Sequence, residues 1–200
     1  MQTAYIIHGW DGSPREPMLL WLKTMLIKRG YAVVVPEMPD SATPRIAPWV
    51  ETLQERVRSG EETVLVAHSI GCQAALRFLE GMPQGSGIAD LVLIAPWLAL
   101  DEKILREEGE EVRAVAKPWM DAPINLEKVK QHARHITAIF SDNDPYATPA
   151  QMELLKEKLK PEIVVEHEKG HFRQSDGVIE LQSAFDAAIV WEGDPREERR

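Results

Sequence analysis

The sequence predicts an α/β domain of three layers, a doubly wound sheet of about six parallel strands with helices on both faces. Short β-branched and apolar runs alternate with stretches of helical period, and six such runs occur, at residues 3–7, 31–35, 63–67, 91–95, 136–140 and 163–166. Several are apolar throughout rather than at every second position, as in strands buried on both faces. The 200 residues, 44% of them hydrophobic, suffice for one continuous core without disulfides or metals. One domain is therefore expected over residues 1–191, with a charged tail at 192–200 that frays.

In chain order, the first run ends in the turn-rich loop His8-Gly9-Trp10-Asp11-Gly12-Ser13-Pro14, and a helix is predicted from Pro17 to Arg29, where Gly30 stops it. The second run, Tyr31 to Val35, leads into a connection stiffened by Pro36, Pro39, Pro44 and Pro48. Ile46, Val50, Leu53 and Val57 then recur at helical spacing up to Gly60. The third run and a helix from Ile70 to Gly81 follow, and the fourth run is Leu91 to Ala95. Residues 101–111 read as charged and irregular, without room for a lid domain. A helix is expected from Leu126 to Ala133, the fifth strand at Ile136–Phe140, a helix at Pro149–Leu159, the sixth strand at Ile163–Glu166 and a last helix from Gln174 to Val190. Right-handed crossovers give a strand order of 2-1-3-4-5-6 and bring the loop after the first strand beside the turn after the third.

That turn is Ala67-His68-Ser69-Ile70-Gly71, a serine between small residues where an apolar strand meets a helix. A strand-to-helix turn this sharp exposes a serine hydroxyl beyond the sheet edge, above backbone N–H groups of the helix N-terminus. The common pattern has glycine two residues before the serine, and here Ala67 stands in its place, a departure of one methyl group. The plainer alternative is a serine that caps the helix.

A serine hydroxyl needs a base, and the base needs a partner that fixes its tautomer. Asp142 and Asp144 both follow the fifth strand, and His171 follows the sixth in Glu168-Lys169-Gly170-His171-Phe172. Ser, Asp and His in that chain order, each past the end of a parallel strand, can meet at one sheet edge. Either aspartate can face His171; Asp144, followed directly by Pro145, has the spacing of the acid, leaving Asp142 and Asn143 to close the turn. His68 is expected to point away from Ser69. The backbone N–H groups of Trp10 and Ile70 are the candidates for an oxyanion hole. His8, Trp97 and Trp119 are candidates for the substrate pocket, the tryptophans serving equally well as core. Cys72 reads as core packing.

A net charge of −9 disfavours nucleic acid and anionic membrane surfaces as partners. No stretch approaches the ~20 apolar residues that cross a bilayer, no basic leader opens the chain, and no metal-ligand or cofactor motif is present. A cytoplasmic protein without metal or cofactor is expected.

The chain resembles the short, lidless α/β-hydrolases of the retinoblastoma-binding serine hydrolase type, whose bacterial members are called YdeN-like. The resemblance lies in Tyr5-Ile6-Ile7-His8-Gly9, Pro36-Glu37-Met38-Pro39, His68-Ser69-Ile70-Gly71, Lys117-Pro118-Trp119 with Leu126-Glu127-Lys128-Val129-Lys130, Asp144-Pro145 and Gly170-His171-Phe172. It implies a triad of Ser69, Asp144 and His171 and hydrolysis of small esters or amides through an acyl-serine. It also implies a possible protein partner, for which no residue of this chain gives a sign. The competing reading is a non-catalytic interaction module built on a hydrolase frame.

Overall fold

The computed structural model describes residues 1–189. Six parallel strands form one sheet: β1 (Thr3–Ile7), β2 (Ala32–Val34), β3 (Gly60–His68), β4 (Ile88–Ile94), β5 (Ala133–Ser141) and β6 (Glu162–Glu166). Their order is β2-β1-β3-β4-β5-β6, as the alternation predicts. Tyr5 pairs with both Val34 and Leu65, so β1 lies between its neighbours at the point where the winding reverses. The central strands are buried on both faces; β4 is buried at every residue, which explains the apolar run Leu91–Ile94 that follows Asp90 within it.

Helices α1 (Pro17–Lys28), α2 (Ile46–Arg56), α3 (Ile70–Glu80), α4 (Glu102–Glu108), α5 (Glu110–Asp121), α6 (Leu126–Lys130), α7 (Pro149–Lys158) and α8 (Gln182–Ala188) complete the described chain. α1 packs with α8, and α2 and α6 pack against α3, covering the two faces. α3 runs through the interior, buried from Ile70 to Leu79, so that even its polar stripe of Gln73 and Arg77 is covered.

Three expectations need correction. Residues 101–111 are not irregular: α4 and α5 occupy 102–121, joined at Gly109, whose φ of 92° turns the chain between them. Val112, Val115, Ala116 and Trp119 recur at helical spacing and are the signal for α5. α6 stops at Lys130 because Ala133 already belongs to β5. The last helix is divided, with a 3-10 turn at Gln174–Asp176, Gly177 in the left-handed region, and α8 only from Gln182. The charged tail at 192–200 lies outside the described residues.

Candidate active site

β3 hands the chain to α3 at Ser69, whose φ of 56° and ψ of −125° are costly for a residue with a Cβ. Neighbouring bonds hold it there: Ser69 N–H donates to Ile94 O (2.9 Å), and Ser69 O accepts from Cys72 N–H (2.9 Å). The turn also presses α3 against β1. A Cβ on Gly71 would stand 2.6 Å from His8 O, so glycine is required after the serine. Ala67, by contrast, sits fully buried in β3 and its methyl is accommodated. The Cys72 thiol donates to Ala67 O and Ile94 O, and burial pushes its pKa far up, so it packs as a neutral group.

His171 arrives from the loop after β6. Its Nε2 lies 2.7 Å from Ser69 Oγ, and its Nδ1 lies 2.8 and 3.0 Å from the two oxygens of Asp144. A carboxylate only accepts, so Nδ1 carries the proton and Nε2 is free to accept from the serine hydroxyl. Asp144 Oδ1 also accepts from the N–H groups of Tyr146 (2.8 Å) and Ala147 (3.1 Å). The Tyr146 ring meets His171 edge-on at 4.8 Å, and its hydroxyl donates to Glu108 at the end of α4.

The loop bearing His171 is held by four successive backbone donors. Glu168, Lys169, Gly170 and His171 give their N–H groups to Asp142 Oδ1, Ser141 Oγ, Asn143 Oδ1 and Asp176 Oδ2, at 2.7–3.0 Å. Asn143 closes its own turn by accepting from Ser141 Oγ (2.8 Å), and both Asp142 and Asn143 also tether the neighbouring loop. Asp142 also pairs with the exposed His167, and the bonds from Glu168 and His167 hold its carboxyl below the usual carboxylate range. The sign of this in the sequence is the cluster of short acceptors, Ser141-Asp142-Asn143-Asp144, directly after a strand.

His68 does not simply point away from Ser69. Its Nε2 lies 2.9 Å from the carbonyl of His171 and therefore carries the proton, which leaves Nδ1 a buried lone pair without a hydrogen-bond partner among the described residues. Burial, with the charge of His171 adding to it, lowers its pKa to about 3.

The loop after β1 closes the other side. A Cβ on Gly9 would come within 3.2 Å of Ser69 Cβ and 3.1 Å of His68 Nδ1, a tight fit that glycine relieves where this backbone approaches the serine. Ile70 begins α3, and its N–H has no partner inside the helix. Trp10 and Ser69 line one cavity of about 650 Å³, with Leu100 and, from α5, Val112 and Val115 as apolar wall.

Of the three pocket candidates, only Trp97 lines this cavity, and its indole Nε1–H reaches Ser69 Oγ at 3.3 Å. His8 is corrected to a structural residue: it is fully buried, accepts from Met38 N–H at Nε2, donates from Nδ1 to Gly9 O and meets Trp49 edge-on. Burial lowers its pKa, keeping the ring neutral. Trp119 is likewise core, donating to Pro44 O and packed between Trp49 and the Arg77 guanidinium. His8 at the end of β1 and Trp119 in α5 both turn their side chains inward, to Trp49 of α2 and, for Trp119, to Arg77 of α3.

Among the described residues no three His, Cys, Asp or Glu side chains converge to hold a metal ion, and no helix is long and apolar enough to cross a membrane.

A family model described as "Serine hydrolase" matches residues 4–187. The YdeN protein of Bacillus subtilis (strain 168) is 27% identical over 186 residues, 92% of this chain and 93% of that one. Its crystal structure superimposes with a TM-score of 0.81 at 25% identity, covering 93% of this chain and 96% of that one. The serine hydrolase RBBP9 of Rattus norvegicus is 24% identical over 170 residues, 84% of this chain and 81% of that one.

Proposed function

Because this chain belongs to the serine hydrolase family, we propose that it cleaves small carboxylic esters or amides through an acyl-serine intermediate on Ser69. The observation that carries the proposal is the unbroken line of hydrogen bonds from Ser69 Oγ through His171 to Asp144, with lengths of 2.7 and 2.8 Å. As Oγ attacks the carbonyl, its proton passes to His171 Nε2; the imidazolium is held by Asp144, which stays a carboxylate. The N–H groups of Trp10 and Ile70 receive the oxyanion of the tetrahedral intermediate. His171 then returns the proton to the leaving alcohol or amine. A water molecule repeats the sequence on the acyl-enzyme and frees the acid.

The cavity supports modest substrates. About 650 Å³ walled by Trp10, Trp97, Leu100 and the valines of α5 is the size of a pocket for a small organic ester or amide. A panel of p-nitrophenyl esters of increasing acyl length, beside the matching anilides, tests this. Short esters are expected to be turned over by the native chain and not by Ser69→Ala. No turnover of any ester or anilide by the folded native chain contradicts the proposal.

A further inference from the structure

Ser69 Oγ has two neighbours, not one. It donates to His171 Nε2 at 2.7 Å and accepts from the Trp97 indole Nε1–H at 3.3 Å. Trp97 is 2% exposed and follows β4 on the strip Ala95-Pro96-Trp97, where Ala95 has a φ of 49° that turns the chain toward the β3–α3 turn. An indole N–H only donates and keeps its proton throughout the neutral pH range. A tetrahedral hydroxyl oxygen carries one proton and two lone pairs. With the proton directed to His171 and one lone pair to Trp97, the second lone pair is left to attack.

Resting on the acyl-serine reading above, we infer that Trp97 is a catalytic residue of the deacylation half-reaction, where it supports Ser69 Oγ as a leaving group. The strength of Oγ as an acceptor changes through the cycle. In the free enzyme Oγ is a good acceptor, and the Trp97 bond is already made. In the acyl-enzyme Oγ is an ester oxygen whose lone pair is delocalised into the carbonyl, a poor acceptor. In the second tetrahedral intermediate the C–Oγ bond breaks, its electron pair stays on Oγ, and the proton on His171 Nε2 moves to Oγ as the acid departs. Negative charge grows on Oγ in that step, and a donor already aimed at it strengthens as the charge appears.

The contribution is therefore asymmetric. Acylation starts from a state in which Oγ already accepts from Trp97, so the indole stabilises ground and transition states alike and changes kcat/KM little. Deacylation starts from a state in which it scarcely does, so the gain appears in full.

The test is Trp97→Phe with p-nitrophenyl acetate, following the pre-steady-state burst of nitrophenol and, by intact mass, the acetyl group on Ser69. A hydrogen bond gained only on departure of Oγ implies about a tenfold slower deacylation. The variant is expected to show that loss in kcat, a matching fall in KM, kcat/KM within about threefold of native, and acetyl-enzyme accumulating in the steady state. A role in packing alone would instead lower kcat/KM or the melting temperature without trapping acyl-enzyme. Should Phe fail to fold, site-specific replacement of the indole by benzothiophene keeps the ring shape and removes only the N–H. Equal deacylation rates in native and variant chains overturn the inference and leave the acyl-serine reading standing. A native chain that is never acetylated at Ser69 overturns both.

Discussion

The imidazole of His68 donates to the backbone carbonyl of His171 across 2.9 Å, so the residue before Ser69 holds the residue whose ring faces it. Two loops from non-adjacent strands, β3 and β6, are thereby joined at the site. That bond uses the only proton of a neutral ring.

A second proton on His68 is opposed by burial and by His171, so its folded pKa of about 3 lies well below the ordinary imidazole value of 6.5. Between those values the unfolded chain binds a proton that the folded chain refuses. Stability is then fully present above about pH 6.5 and is lost as pH falls toward 3. His8, also lowered by burial, acts in the same direction. Urea unfolding of native and His68→Gln chains from pH 7 to pH 4 isolates the His68 share. The variant is expected to lose less stability over that range, by up to one proton in the slope; identical slopes contradict it.

Asp144→Asn is expected to fold normally and lose on the order of 10⁴ in kcat, because the amide presents a donor where His171 Nδ1–H needs an acceptor. Asp142→Asn keeps an acceptor for Glu168 N–H and loses only an exposed pairing with His167, so activity within a few-fold of native is expected. Steady-state kinetics on both variants checks this; the reverse ranking would make Asp142 the acid.

Gly71→Ala drives a methyl group to 2.6 Å from His8 O, a backbone atom that cannot step aside, and is expected to cost roughly 2–4 kcal/mol. Ala67→Gly is expected to cost about 0.5–1 kcal/mol through chain entropy, with activity unchanged. Denaturant midpoints of the two variants measure the difference. Equal costs would mean that the turn does not need glycine at its exit.

Trp119→Phe removes the bond to Pro44 O and is expected to cost about 1–3 kcal/mol while KM stays native. A raised KM with unchanged stability would return Trp119 to the pocket.

The fold was legible because a doubly wound sheet writes itself into the sequence twice, as apolar strand runs and as alternation with helices. Ser69 was legible because a strained turn needs small neighbours on both sides, and Asp144 and His171 because each stands just past a strand end. His8 and Trp119 misled because position along the chain does not say which way a side chain turns: both face the layer around Trp49. Trp97 stood as a pocket candidate that could equally be core, and the bonds that Trp97 and His68 make to Ser69 Oγ and His171 O depend on side-chain direction, which spacing along the chain does not encode. α4 and α5 are masked in the sequence by their many charged residues, which obscure the helical spacing of Val112, Val115, Ala116 and Trp119.

The central claim is that Ser69 is the nucleophile. Incubation of the native chain with a fluorophosphonate, followed by peptide mass spectrometry, tests it most directly. The account predicts one phosphonyl group, on Ser69, absent from Ser69→Ala and formed far more slowly in His171→Ala. A folded native chain that stays unlabelled, or is labelled at any other residue, contradicts it.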